Sequence, residues 1–289
     1  MGGILSGLNK IGITGLDKID IYAEPEEKKP VAEGKPAPVI PKITVMTERD
    51  YLFPKSHTCP VCYKEFKTPT VRVNKLKPRG VDTDLRPRFE GIDPLKYDIV
   101  LCHECGYAAL GNYFDKLSAT QIKLIKQGIS KNYRRISESD TYTYDQAFMR
   151  FQLALGNAVV KRGKASEKAY LCLKMAWILR GKREAIDSGL EVCDEGDYAT
   201  LIQEIEQSQM ELLENAVEGF MSAKSNETFP ICGMDKNTLE YIIAVESVKL
   251  EKYDIASRML DGLLERPSVN KVMKKKCEEM KEQIGHLGF

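Results

Sequence analysis

Cys59-Pro60-Val61-Cys62 and, separated from it by thirty-nine residues, Cys102-His103-Glu104-Cys105-Gly106 are the two stretches whose reading decides how this chain is built. Two residues between cysteines let a tight turn present both sulfurs to one ion while backbone N–H groups point at the thiolates, and Gly106 supplies the backbone freedom that turn needs. Two such knuckles complete a tetrahedron, so the pattern predicts one structural Zn2+ held by Cys59, Cys62, Cys102 and Cys105. A lone C-x-x-C would leave a thioredoxin-like redox pair as a rival. Two copies flanking β-like segments, with no βαβ pattern around either, favour metal. Compact double knuckles are separated by roughly 15 to 20 residues, so here the intervening strands and loop must fold back, as in a zinc ribbon with an enlarged insertion. Four thiolates fill the tetrahedron and leave no open position for water or substrate, which argues for a structural ion. Sites of this kind contribute roughly 10–16 kcal/mol to folding in small peptides, more than a short ribbon's own core supplies. His57 and His103 lie close enough in sequence to replace a cysteine, but four thiols already complete the set.

Outward from the knuckles, the texture divides the chain in three: a tail and linker over 1–46, a zinc-ribbon-like β domain over 47–112, and a helical domain over 113–289. In the ribbon, Thr70 to Leu76 alternates Val71 and Val73 with Arg72 and Asn74, and Tyr97 to Leu101 is a compact β-rich run, so two or three strands are expected. Between them Pro78, Gly80, Pro87, Gly91 and Pro94 punctuate a long irregular connection, the kind of segment that is often functional or mobile. Beyond Asn112 the period becomes helical. Phe148, Phe151, Leu155 and Ala158 share one face, and Ser166 to Leu179 is apolar nearly all round, as in a helix packed between neighbours. A third helix runs from Tyr198 to Met221, and a pair follows over Thr238–Leu250 and Asp254–Leu264, closed by Pro267. In that pair Ala244, Ala256 and Leu260 have the spacing at which a tetratricopeptide unit brings two helices close, although Pro267 falls one position early. The fold class expected is α+β, mostly α: a zinc-ribbon-like head followed by a tetratricopeptide-like array of helical hairpins.

The tail reads differently from both. Residues 24–42 mix Pro, Glu, Lys and Ala with few large apolar side chains, too little burial to offset the entropy of ordering them. Ahead of this linker an isoleucine- and leucine-bearing segment is broken by Gly7, Gly12 and Gly15, each of which weakens a helix by about 1 kcal/mol. A tethered docking peptide and a frayed end are both compatible with it. The opening MGGILS also meets a short myristoylation pattern that chance often supplies, and it is set aside.

Composition limits the functions open to the chain. Over 289 residues, 43 Lys+Arg against 42 Asp+Glu give a net charge of +1, so no global field draws it to nucleic acid or an anionic membrane. Lys174 interrupts the longest apolar candidate, Tyr170 to Leu179, well short of the roughly 20 residues of a membrane span. No cationic start followed by a leucine-rich run marks a secretory signal, so a cytoplasmic protein is expected. In that reducing setting eight cysteines do not imply a disulfide framework. Cys172 reads as a small core residue, and Cys232, on a turn, lacks a neighbouring base to activate it.

CPVCYKEF, DLRPRFEGIDPLKYDIVLCHECGYAAL and ASEKAYLCLKMAWILRGK together resemble a bacterial family known as domain of unknown function 2225, over roughly Tyr51 to Asp261, with the second knuckle running directly into Gly106, Tyr107 and Ala108. The resemblance implies a metal-binding ribbon on Cys59, Cys62, Cys102 and Cys105, tetratricopeptide-like helices and no established activity. Three functions compete. The leading expectation is a non-enzymatic zinc-binding adaptor whose helices take a protein or peptide. An alternative is a nucleic-acid-binding ribbon using Arg72, Lys75, Arg79, Arg86 and Arg88. The third is an enzyme that places Asp82, Asp84, Arg86 and Arg88 of the 78–95 loop over a pocket, against the simpler reading of an ion-pair network. Residues 182–218, with eleven acidic and two basic positions, form an acidic helical surface open to a basic partner or to the ribbon's own arginines.

Overall fold

A computed structural model describes residues 46–136, 139–191 and 198–286. The tail and linker assigned to residues 1–46 lie outside them up to residue 45, as does Cys193. Within the described residues the fold is α+β and mostly α, with small antiparallel strand pairs ahead of the helices.

Three hairpins make up the head. Strand β1 (Leu52–Thr58) pairs with β2 (Glu65–Val71) from Leu52↔Val71 to Thr58↔Glu65, so the first knuckle is the loop at this hairpin's tip. Strands β5 (Ile99–Leu101) and β6 (Ala108–Leu110) pair from Ile99↔Leu110 to Leu101↔Ala108, which puts the second knuckle at the tip of another. Two sequence expectations need correction here. The strand expected over 70–76 ends at Val71; Val73–Lys75 is a 3-10 turn and Val73 is 78% exposed, because the register is set by pairing with β1 and that partner begins at Leu52. The irregular connection contains a third hairpin, β3 (Pro78–Val81) with β4 (Pro87–Phe89), bulged between Pro78 and Gly80.

Successive side chains on a strand face opposite sides, and the β5–β6 hairpin uses this to serve two cores. Ile99, Leu101, Ala108 and Leu110 join the core of the helices. Val100, Cys102, Tyr107 and Ala109 join a smaller core that surrounds the cysteines, together with Phe66, Phe114 and Ile125. A hairpin of three-residue strands therefore couples the head to the helices.

Among the described residues seven helices follow: α1 (Ala119–Ile125), α2 (Tyr144–Val160), α3 (Ala165–Asp187), α4 (Tyr198–Asn226), α5 (Lys236–Lys249), α6 (Tyr253–Glu265) and α7 (Lys271–His286). Ser118 with Gln121 and Thr143 with Gln146 form capping boxes that start α1 and α2. Short connections make sequence neighbours pack as hairpins, and α3 is buried on several sides through Leu171, Leu173, Ala176, Trp177 and Ile178. Ala244, Ala256 and Leu260 are fully buried, as the close approach of α5 and α6 requires. No expectation covered α7; its Cys277, Met280 and Ile284 face the core in a sequence otherwise dominated by Lys and Glu. No helix among the described residues is long and apolar enough to cross a membrane.

Candidate metal centre

The two knuckles are built alike. Tyr63 N–H donates to the Cys59 carbonyl at 2.8 Å and Gly106 N–H to the Cys102 carbonyl at 2.9 Å; Cys59 N–H then closes on Lys64 at 2.9 Å and Cys102 N–H on Tyr107 at 2.8 Å. The fifth residue of each turn has positive φ, +62° at Tyr63 and +75° at Gly106. Val61 N–H points at Cys59 Sγ at 3.4 Å, as a turn that stabilises a thiolate should.

These turns bring together all four predicted sulfurs. Every Sγ of Cys59, Cys62, Cys102 and Cys105 lies within 4.8 Å of the others, with Cys59–Cys105 and Cys62–Cys102 each at 3.6 Å. Cys59 and Cys102 are fully buried, Cys105 nearly so, and Cys62 is the partly exposed member. As bare thiols they compete for protons. Cys102 is pulled down to about 2, by hydrogen bonding to Cys105 and then to Cys59; hydrogen bonding to Cys102 pushes Cys59 up to about 12, and Cys105 is likewise pushed up. A divalent cation would replace those shared protons, so the donor chemistry and the spacing both suit a metal ion.

Neighbours hold the site in place. Asn157 of α2 donates to the Gly106 carbonyl at 2.9 Å, tying the second knuckle to the helices. Tyr133 covers the Gly106 Cα so closely that an added Cβ would lie 2.5 Å from its ring. Gly106→Ala therefore meets both a left-handed backbone and an overpacked contact, and is expected to cost about 2–4 kcal/mol. Thermal unfolding of the metal-loaded protein checks this; a loss under 1 kcal/mol would mean that the turn relaxes freely.

The histidines do not join the sulfurs. His57 stacks on Phe66 at 5.7 Å, and the His103 ring meets Phe66 edge-on at 5.6 Å with Nε2 3.7 Å from Glu104. Among the other described cysteines, Cys172 and Cys277 are core residues whose thiols burial pushes up to about 11. Cys232 donates to the Ser166 carbonyl at 3.3 Å, and burial raises its thiol, opposite to what a nucleophile needs.

The 78–95 residues form a latch. Asp84 is fully buried and accepts from the Trp177 indole at 3.0 Å, from Arg180 at 2.5 and 3.2 Å and from Lys249 at 2.7 Å. Arg86, 2% exposed, spans Asp93 at 3.0 Å and Glu184 at 3.2 Å, while Arg88 joins Asp82 at 2.7 Å and Glu184 at 2.5 Å. The network is as expected for alternating carboxylates and guanidiniums, but its centre, Asp84 and Arg86, is buried, while Arg88 and Glu184 at its edge stay partly exposed. Of the other side chains read as phosphate contacts, Arg72 donates to the Leu52 carbonyl at 3.0 Å and Lys75 to the Asp50 carbonyl at 2.9 Å; Arg79 is exposed. Sequence reasoning missed Glu184, Arg180 and Lys249 as partners, since they lie about a hundred residues or more away in the chain.

Glu246 beside this latch titrates near neutrality. Burial pushes its carboxyl up to about 7, Asp84 adding to the shift and Lys249 opposing it from 2.9 Å. Its proton is held more tightly folded than unfolded, where the pKa is about 4.3. That contribution is fully present below about pH 4 and is lost as pH rises through 7. Glu246→Gln should remove this slope and gain about 3 kcal/mol over wild type at pH 8. Urea unfolding midpoints between pH 5 and 8 measure it; parallel curves for the two proteins would place the titration elsewhere.

No curated protein and no solved structure matches the chain. A family model, described as an uncharacterized protein conserved in bacteria, matches residues 52–286, a span that takes in both knuckles, the charged latch and all seven described helices. By that match, and with the four-cysteine cluster fitting a zinc-ribbon-like part, the chain belongs to the bacterial family DUF2225.

Proposed function

We propose that Cys59, Cys62, Cys102 and Cys105 hold one Zn2+ as thiolates, and that the protein is a cytoplasmic, non-enzymatic adaptor whose helices take a protein or peptide partner. The observation that carries the metal assignment is the pair of 3.6 Å sulfur contacts. Four Zn–S bonds of about 2.3 Å in a tetrahedron require sulfurs about 3.8 Å apart. Soft thiolates select zinc over magnesium or calcium. With four protein ligands no coordination position remains for substrate, and Asp82, Asp84, Arg86 and Arg88 of the 78–95 segment are all engaged in ion pairs, which supports binding over catalysis.

A row of acids supports the partner's sign. Glu204, Glu211 and Glu218 recur every seven residues along α4, are exposed, and form no ion pair among the described residues. Seven residues are close to two turns, so the three share one face. Elemental analysis of protein purified under reducing conditions should find one zinc per chain and no iron; iron or no metal would overturn the assignment. For the adaptor role, in-cell crosslinking with mass spectrometry should recover one recurrent partner joined to the helices. That partner should be lost from a Glu204→Lys, Glu211→Lys, Glu218→Lys variant that keeps its zinc. No recurrent partner, or one indifferent to the triple change, counts against the reading.

A further inference from the structure

Besides exposed Lys55, Lys67 and Arg79 of the hairpins, a group of basic side chains lies on α1 and the turn after it, outside the stretch that the sequence pattern selects. Lys116, Lys123, Lys126, Lys131 and Arg134 are all exposed and form no ion pair among the described residues, whereas Arg135 is paired with Glu104 at 3.2 Å. The buried side of the same segment, Ile125 with Leu117, Ile122 and Ile129, packs on the core around the cysteines, so this cationic face is part of the head.

Two local irregularities gather that face. After Ile125 the helix widens into a π turn, Lys126–Ser130, and Lys131 N–H bonds to the Lys126 carbonyl at 3.2 Å. A five-residue bond brings Lys131 over Lys126, where 3.6 residues per turn would leave them on different sides; π turns often occur at functional sites. Lys123 precedes Lys126 by one α-helical turn and shares its side. Next to it the first knuckle projects Tyr63, whose positive φ is unusual for an aromatic residue. The ring has Lys126 Nζ 5.7 Å from its centroid and is still 69% exposed. Exposed Lys64 follows it directly. The acids of the region are Glu65 and Asp115, exposed, and Glu104, engaged with Arg135.

We infer that the face formed by Tyr63, Lys64, Lys123, Lys126 and Lys131 binds single-stranded nucleic acid, with phosphates on the lysines and a base stacked on the Tyr63 ring. Every base has a π face, so an exposed aromatic amid positive charge is a stacking platform of the kind non-specific single-strand binders use. A lipid surface would call for apolar side chains pointing outward, and those of this segment point into the core. An acidic protein partner would call for an apolar centre to the interface, and Tyr63 alone does not make one. The inference is independent of the adaptor reading, since it uses the head and not α4.

Fluorescence anisotropy on the full-length, zinc-loaded chain tests it, with labelled 20-nucleotide oligo(dT) and oligo(U) as probes between 50 and 300 mM salt. Affinity should fall with salt at a log–log slope of about −0.7 per phosphate neutralised, hence about −3 for the four lysines. Lys123→Glu, Lys126→Glu, Lys131→Glu in one chain should weaken binding at least tenfold and flatten that slope, each lysine accounting for about one phosphate. Tyr63→Ala should weaken it about tenfold with the slope unchanged, as the loss of one stacked base predicts. Zinc content and circular dichroism verify folding, and the exposed Tyr63 substitution keeps the test valid should the triple variant misfold. No saturable binding at 50 mM salt, binding unaltered by Tyr63→Ala, or tighter binding to phosphatidylglycerol vesicles than to either oligonucleotide would overturn the inference.

Discussion

Cys105→Ser, or removal of the ion by a chelator, is expected to unfold the head and leave the helices largely formed. Structural four-ligand zinc sites supply roughly 10–16 kcal/mol of apparent binding energy, larger than the whole stability of most domains. The smaller core of Cys59, Val61, Phe66, Tyr107, Phe114 and Ile125 closes around the sulfurs and has few apolar residues of its own. With one thiolate gone, the remaining three compete for protons at short range and the hairpin tips lose what holds them together. The helical core is much larger and reaches the head through Ile99, Leu101, Ala108 and Leu110 and the Asn157–Gly106 bond, so α2 should loosen where it meets β6 while α3 to α7 persist. Circular dichroism should lose little helical signal, and limited proteolysis should cut between residues 52 and 136. A head as resistant to protease without metal as with it would sink the structural role of the site.

The cysteines were legible from sequence because C-x-x-C spacing is imposed by local turn geometry, which needs no knowledge of the rest of the fold. The positive φ at Gly106 was legible for the same reason; Tyr63, in the matching place, was not, because an aromatic residue gives no hint of a left-handed backbone. Helices with one clear apolar stripe were also found. The Ser166–Leu179 segment lies inside α3, but the helix runs on to Asp187 because Arg180 and Glu184 are held by Asp82, Asp84, Arg86 and Arg88 across the hairpin. Strand β1 escaped notice since Lys55, Ser56 and His57 give no alternation, the strand being half exposed and placed by its partner. Hairpin β3–β4 escaped for a stronger reason. Prolines stand at the start of both its strands, and it is anchored by charges, which a pattern of apolar residues cannot reveal.

That anchoring makes Asp84 the second position of large expected effect. Burial alone would raise its carboxyl, but hydrogen bonding from Arg180 and the charge of Lys249 outweigh it and hold Asp84 well below the usual carboxylate range. The depressed pKa gives stability that is complete above about pH 4, the unfolded value, and is lost as pH falls through the folded one. Asp84→Asn keeps the shape and an acceptor for Trp177 but leaves Arg180 and Lys249 facing a neutral group in a buried place, which typically costs 3–5 kcal/mol. Replacing Lys249 with Met in the same chain should recover part of that loss, because one of the two cations that lost an anionic partner goes with it. Trp177 is the chain's single tryptophan and its indole donates to Asp84 at 3.0 Å, so its emission reports on the latch directly. The expected result is a shifted emission and faster hydrogen exchange over residues 78–90, with one zinc per chain retained, since the sulfurs belong to a different core. A variant that is unchanged in emission and within 1 kcal/mol of wild type would show that the hairpin is held by something other than these charges.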